Sequence, residues 1–219
     1  MVSISGELIA HVRLTLDLSL QFALTQKGVC HDNIAYTPHA FPAYVCAIAA
    51  IEAFANEQLL GPVTRIIFHD SSLWNIPSDV LEKLEIRTKV IIISRLLTGL
   101  SFSKGEQPFQ DFNTLVKLRN DIVHYKMHDS VPSYVGHLEQ RRIALPNPRT
   151  QLSVDYPWPS KISTTEGIRW ANNTVCKIVN EIVNSIPEER RVTFTHLAAN
   201  FTEIHESYIS EWFARRQPH

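Results

Sequence analysis

The chain predicts an all-α fold, a bundle of amphipathic helices. Three observations carry this reading. The 219 residues hold only 7 Gly, which argues against a turn-rich all-β chain. Long stretches place apolar residues at i, i+3 and i+4, the repeat of a helix with one buried face. Clear breakers such as Gly61-Pro62, Gly99 and Pro187 separate these stretches. The length suits a single helical domain, 1–219, with enough chain to bury a core.

The elements follow in order. Residues 7–24 carry two patterns at once. Val12, Leu14, Leu16, Leu18, Leu20 and Phe22 alternate as in a strand, while Leu8, Val12, Leu16, Leu20 and Leu24 keep helical i+4 spacing. Eighteen residues without Gly or Pro are long for a strand, so a helix is expected. Lys27 to Pro42 reads as a connector. Ala43 to Leu60 reads as an Ala- and Leu-rich helix, with Val45, Ile48, Ala49, Phe54 and Leu59 near one side. Glu52 and Asn56 lie one turn apart on it, and two readings stand: an exposed polar edge, or Glu52 turned inward to pair with Arg119.

Val63 to Pro77 is expected to be irregular. Ser78-Asp79 then caps a helix running to Thr98, with Leu81, Leu84, Ile91, Leu96 and Leu97 as core. A helix over 108–127 follows. Residues 127–162 form a long Pro-rich loop, with one short helix near His137–Ile143. This loop carries Arg141, Arg142, Arg149 and Lys161, with Tyr134, Tyr156 and Trp158 between them. It is either a solvated crossover or a flap that contacts phosphates and stacks bases. Ser163-Thr-Thr-Glu166 reads as a capping box opening a helix to Ser185, with Ile168, Ala171, Val175, Ile178, Val179, Ile182 and Val183 inward. A last helix is expected over Thr195–Ala214.

Composition bounds the function. The chain is 44% hydrophobic and 20% charged with a net charge of −1, so it is not a globally basic nucleic-acid binder. Any RNA contact needs a local patch or one assembled between subunits. Cys30, Cys46 and Cys176 show no zinc or CxxC spacing and suit reduced thiols in a cytoplasmic protein. No signal-peptide pattern opens the chain, and its most apolar run, Val90–Ile93, is too short to span a bilayer.

The chemistry-bearing stretch is Leu115-Val-Lys-Leu-Arg-Asn-Asp-Ile-Val-His-Tyr-Lys126. Wound at about 100° per residue, Phe112, Leu115, Val116, Leu118, Ile122 and Val123 share one face, and Arg119 lies in its middle. Asn113, Asn120 and His124 form a strip roughly 100–140° round from Arg119. A guanidinium in an apolar stripe is costly unless it is paired or faces a polar cavity. The spacing alone is weak, because Arg191-Val-Thr-Phe-Thr-His196 repeats it. That second copy is read as chance: no polar residue follows its Arg, and it is expected mostly before a helix begins. His124 and His128, one turn apart, are a weaker candidate metal pair, lacking an evident third ligand.

Leu118-Arg119-Asn120-Asp121-Ile122-Val123-His124 resembles the signature of the HEPN superfamily, an Arg, a polar residue and a His a few residues on. Ile48-Ala-Ala-Ile-Glu52-Ala-Phe-Ala-Asn56-Glu57 is similar to the second helix of many HEPN proteins, and Glu166–Ser185 to the helix that closes their bundle. The resemblance covers about 41–186. Residues 1–40 and 187–219 are then helical extensions of a HEPN-like antiparallel bundle. It implies a homodimer whose motif helices meet in a composite cleft. It implies a metal-independent endoribonuclease without cofactors, as in toxins, abortive-infection proteins and CRISPR effectors, or else a silent module that binds a nucleotide or a protein.

Under the nuclease reading His124 is the acid/base, Arg119 clamps phosphate, Asn120 orients it, and Glu52 and Asn56 support the site. The 2′-OH attacks the adjacent phosphate and leaves 2′,3′-cyclic phosphate and 5′-OH ends. Asp121 points elsewhere and is expected to cap or pair locally. Lys117, Lys126, Arg141 and Arg142 are the candidate RNA contacts. A regulatory protein or antitoxin is a further expected partner. Toxins of this family modified by a nucleotidyltransferase often carry a Tyr two residues after the His. Here Lys126 stands there and Tyr125 adjoins the His, which puts that route of regulation in doubt.

Overall fold

The centre of the molecule is a helix with almost no polar face. In this computed structural model, which describes residues 3–25, 30–31, 34–35, 37–103, 105–125, 130–145 and 157–216, that helix is α2, Ala40–Leu60. Ala43, Ala47, Ala50 and Ala55 are buried along it, and such small side chains let neighbouring helices approach closely. Tyr44, Ile48, Ile51, Phe54 and Leu59 fill the spaces between. By length and composition α2 could cross a membrane, but in this fold α1, α5, α6 and α9 pack around it. Its least buried edge runs through Val45, Ala49, Glu52 and Asn56, so Val45, placed near one side with Ile48, Phe54 and Leu59 from the sequence, is 41% exposed while those three are buried.

Helix α1, Ile4–Thr25, lies along α2 and buries Ile9, Val12, Leu16, Leu20 and Ala23. The strand-like alternation came from Leu14 and Leu18, which sit on its solvent side. Ser5 anchors its first turn, its amide and hydroxyl both donating to the Glu57 carboxylate of α2 (3.1 and 2.8 Å). A two-residue antiparallel pairing, β1 Cys30–His31 with β2 Ile34–Ala35, precedes α2.

The expected irregular connector 63–77 instead holds α3, Pro62–Ile67, and a 3₁₀ turn at Ser72–Asn75. Pro62 suits the first turn of α3, where its missing N–H has no intrahelical partner to lose. The single helix expected over 78–98 is broken into α4, Ser78–Glu82, and α5, Ile86–Thr98. Glu85 causes the break: its backbone is extended and its carboxylate accepts from the amides of Arg87 and Thr88, an N-cap inside an apparently continuous repeat. The buried ridge of α5 is therefore Ile86, Val90, Ile93 and Leu97, while Leu84, Ile91 and Leu96 are only half-buried. Gly99 ends α5 with φ of 75°, a left-handed conformation that favours glycine.

Helix α6, Phe109–Val123, stops four residues short of the expected end. Within the long segment, α7 spans Ser133–Gln140 and α8 spans Trp158–Lys161. Helix α9, Thr165–Asn184, buries all seven residues assigned inward from the sequence. Its cap is Thr164 rather than Ser163: Thr164 Oγ1 accepts from the Gly167 amide (2.8 Å), and Glu166 pairs with Arg169 instead of closing a box. The helix expected over 195–214 is two helices, α10 at Glu188–Ala198 and α11 at Tyr208–Ala214. Between them, side chains of α9 hold the chain. Asn180 donates to the Phe201 carbonyl (3.0 Å), Asn172 to that of Thr202 (3.2 Å), and Asn173 both donates to and accepts from Ile204 (2.9 and 2.7 Å). Arg13 of α1 also donates to the Thr202 carbonyl. These captured carbonyls take residues 201–204 out of the helical repeat.

The start of α9 is locked to α2 by the fully buried Tyr44. Its hydroxyl donates to the Ile162 carbonyl (2.5 Å), and burial pushes that phenol far above its ordinary pKa. Gly167 is needed beside it, because a Cβ there would collide with Tyr44 Oη and crowd Thr164 Oγ1 at 2.9 Å. Gly167→Ala is expected to destabilise the fold by about 1–3 kcal/mol in urea unfolding, as overpacking does, and Gly167→Ala/Tyr44→Phe to recover part of that loss. An unchanged midpoint for Gly167→Ala would contradict this account of the contact.

Candidate functional site

The predicted motif occupies the last turn of α6. Phe109, Phe112, Leu115, Val116 and Leu118 are buried within the chain, where α6 packs against α2 and α9. Phe112, Leu115, Val116 and Leu118 of the apolar stripe are thus covered within the chain, while Ile122 is half-buried and Val123 exposed. Burial fades toward the C-terminus. Arg119, Asn120, Asp121 and Ile122 are half-buried, and Val123, His124 and Tyr125 are exposed. This end of α6 is exposed.

Arg119 keeps its place in the stripe, directly after Leu118, the last buried residue of α6. Its Nε is enclosed and has no hydrogen-bond partner, and among the described residues no carboxylate pairs with its guanidinium. Glu52, its candidate partner, instead accepts from Lys89 Nζ of α5 (3.1 Å). Lys89 has no exposed side-chain surface, so this carboxylate answers a buried ammonium and is structural. Asn56, one turn on, has its Oδ1 buried without a partner.

His124 is the C-cap of α6, not an interior residue. Its amide donates to the Asn120 carbonyl (2.9 Å) while its own backbone, φ −107° and ψ 22°, leaves the helix. The two residues thus stay one turn apart on the exposed tip. Asp121 accepts from the Tyr134 hydroxyl of α7 (2.7 Å), the local pairing expected for it. Burial, with the Asp121 carboxylate second, holds the Tyr134 phenol well above its ordinary pKa. Tyr125 meets the buried Trp158 edge-on, ring centroids 5.9 Å apart. Asp121 and Tyr125 thus tie the motif end to the segment that follows it.

The candidate RNA contacts fare unequally. Lys117 is exposed on α6. Arg141 is held by Asp111 at the far end of α6, in a two-pronged ion pair with Nη2 to Oδ2 at 2.8 Å. Arg142 is exposed, with φ of 57°, in the left-handed position that follows the end of α7. Lys161 pairs with Glu139 (3.0 Å). Lys126 lies outside the described residues, as do His128, Arg149 and Tyr156.

The second Arg-to-His spacing lies within α10, so a helical setting does not separate the two copies as the sequence implied. Their partners do. Arg191 Nε donates to the Ile186 carbonyl (3.1 Å), and Arg190 sits 4.9 Å from the Phe68 ring centroid, whereas Arg119 has no such contact among the described residues. Among those residues no group of three His, Cys, Asp or Glu side chains is placed to hold a metal ion. Cys176 is buried, and that burial pushes its thiol up to about 12. What sequence reading missed is the α9 asparagine row, whose signal was Asn172, Asn173 and Asn180 on one side of an amphipathic helix. Comparison with protein-family models, with curated proteins and with solved structures gave no match.

Two outcomes test these assignments. Glu52→Ala should lower stability by about 1–3 kcal/mol by leaving Lys89 unanswered, and Glu52→Ala/Lys89→Met should recover most of it. If Glu52→Ala unfolds like the parent, the pair is not structural. The second outcome concerns acid. Burial alone would raise the Asp111 carboxyl, but the Arg141 guanidinium outweighs it and holds the pKa below the ordinary value. Stability from this pair is therefore present above the unfolded value of about 3.9 and lost as pH falls through the lower folded value. Arg141→Gln should flatten that acid limb in thermal melts from pH 5 downward, and an unaltered limb would rule the linkage out.

Proposed function

We propose that this chain is a metal-independent endoribonuclease of the HEPN type, in a toxin or anti-phage defence role, with Arg119, Asn120 and His124 at its centre. The observation that supports it most is Arg119. Its guanidinium is half-buried, Nε is enclosed without a partner, and no carboxylate among the described residues answers it, while His124 stands exposed five residues on. A permanent cation kept unpaired at the same helix end as an exposed imidazole suits a phosphate that arrives with substrate.

In this reading the Arg119 guanidinium donates to the non-bridging oxygens as charge grows on phosphorus. The ribose 2′-oxygen forms a bond to phosphorus as the bond to the 5′-oxygen breaks. One imidazole takes the 2′ proton and another gives a proton to the leaving 5′-oxygen. One chain supplies a single motif His, so the second comes from another copy. That copy approaches the exposed tip of α6, where Val123 at 55% and Tyr125 at 38% exposure flank His124.

A second reading, a silent module that binds a nucleotide or a partner protein, is favoured by the exposure of His124. Within a single chain His124 is not enclosed. The decisive measurement uses end-labelled single-stranded RNA and a tRNA pool in EDTA. Wild type should leave 2′,3′-cyclic phosphates. His124→Ala should lose roughly 10²–10⁴-fold and Arg119→Ala roughly 10²–10³-fold in rate, with unchanged melting. Cleavage retained in His124→Ala would overturn the nuclease reading, and binding without turnover would favour the second.

A further inference from the structure

Helix α7 reaches α6 at both of its ends, and the two contacts follow in reverse chain order. Arg141, just past the end of α7, gives its fork to Asp111 in the first turn of α6. Tyr134, in the first turn of α7, donates its hydroxyl to Asp121 in the last turn of α6 (2.7 Å). Helix α7 therefore runs alongside α6 in the opposite sense, from Asp121 back to Asp111. It is also fixed to the core independently of these contacts. Val135 and Leu138 are fully buried, Lys161 pairs with Glu139 (3.0 Å), and the Thr164 hydroxyl at the cap of α9 donates to the Ile143 carbonyl (2.6 Å).

Helix α6 alone does not explain Asp121. A carboxylate in the last turn of a helix opposes the helix dipole, where a neutral or basic side chain would not. At about 100° per residue Asp121 lies roughly 200° round the helix from Arg119, so its charge is kept on the side away from the proposed phosphate site. The turn that carries it needs support. Helix ends fray, and beyond Leu118 no residue of α6 is buried. The His124 ring is exposed, so its placement follows from the backbone of this turn, where the His124 amide donates to the Asn120 carbonyl (2.9 Å). Tyr125 adds a second contact on the same stretch, edge-on to the buried Trp158 with ring centroids 5.9 Å apart.

We propose that Tyr134, acting through Asp121, is a positioning residue for the motif turn, holding Asn120 and His124 in place for a phosphodiester bound at Arg119. The reaction it serves rests on the nuclease reading; the brace itself rests on the attachment of α7 to both ends of α6. The phenol suits this role. Burial, with the Asp121 carboxylate second, keeps its pKa well above the ordinary value, so it remains a donor at neutral pH. A hydrogen bond from a ring on a core-fixed helix restrains the last turn of α6 without adding a cation that would compete with Arg119 for phosphate. Holding reacting groups in place in this way acts on turnover more than on substrate binding.

The test pairs amide hydrogen exchange with kinetics on the full chain. Tyr134→Phe removes the hydroxyl and keeps the ring. It should speed exchange of the His124 amide about tenfold, the scale of one charged hydrogen bond, while the Leu115 and Val116 amides keep their wild-type rates. On end-labelled single-stranded RNA, well below the melting transition, its kcat should fall about tenfold with KM within about twofold. A contact that serves stability alone lowers the melting temperature and leaves kcat of the folded chain unmoved. Asp121→Ala should match Tyr134→Phe, and Tyr134→Phe/Asp121→Ala should lose no more than either. Asp121→Asn, whose amide oxygen still accepts from the phenol, should keep most of the rate. Unchanged exchange at His124, unchanged kcat in Tyr134→Phe, or additive losses in the double variant would each overturn the proposal. Exchange is read without RNA, so a wild type that cuts no RNA while Tyr134→Phe loosens His124 sinks the nuclease reading and leaves the brace standing.

Discussion

Burying α2 on nearly every side is the constraint from which the rest of the structure follows. A helix this apolar is unstable in water unless neighbours cover it, and covering it with four helices requires side chains small enough for close approach. The buried alanines of α2 supply that. The remaining edge, through Glu52 and Asn56, cannot be apolar throughout, because α5 brings Lys89 against it. The Glu52 carboxylate lets that lysine be wholly buried, and the pair fixes α5 on α2. Helix α6 then docks through Phe109 to Leu118, and its last turn runs past the covered region. The exposed tip with His124 is thus a consequence of how long α6 is relative to the part that α2 and α9 can cover.

How much of this was legible in the sequence follows from which interactions are local. The inward face of α9 was readable residue by residue, because helical period and burial coincide there over five turns. The break at Glu85 was not, because a glutamate that caps the next helix looks the same as a glutamate within one. The loss of helix over 201–204 was less legible still. It depends on Asn172, Asn173 and Asn180, which lie far away in sequence and reach across to capture carbonyls. In α1 the difficulty was of another kind: solvent-facing Leu14 and Leu18 counterfeited a strand period, and only helix length argued against it.

The site divides along the same line. The residue types and spacing of Arg119, Asn120 and His124 could be seen directly, and so could the anomaly of a guanidinium in an apolar stripe. The partners could not. Glu52 was an equally good partner for Arg119 or for Lys89 on paper, and Arg141 looked like a phosphate ligand until Asp111 was found beside it. Pairing of charges is long-range in sequence, and the chain holds 22 acidic residues for 21 Lys and Arg, so composition leaves the choice open.

That choice carries the functional argument. Lys89, Arg141, Lys161 and Arg169 all reach into partly or wholly buried ground, and each has been given a carboxylate at hydrogen-bond distance. Arg191 has a carbonyl and Arg190 an aromatic ring. Arg13 and Arg119 both have a buried Nε without an acceptor, but Arg13 donates through Nη2 to the Thr202 carbonyl, whereas Arg119 has no acceptor among the described residues. An unsatisfied polar group of this kind costs about 1–3 kcal/mol, an appreciable part of a domain's stability. The same chain answers its other internal cations with local acceptors, and a carboxylate near Arg119 would be a small change to make. Such a carboxylate would also repel an incoming phosphate. The cost is therefore understandable if the missing acceptor belongs to a ligand, which is the physical basis for placing the proposed site at Arg119 and not at the better-matched cations elsewhere.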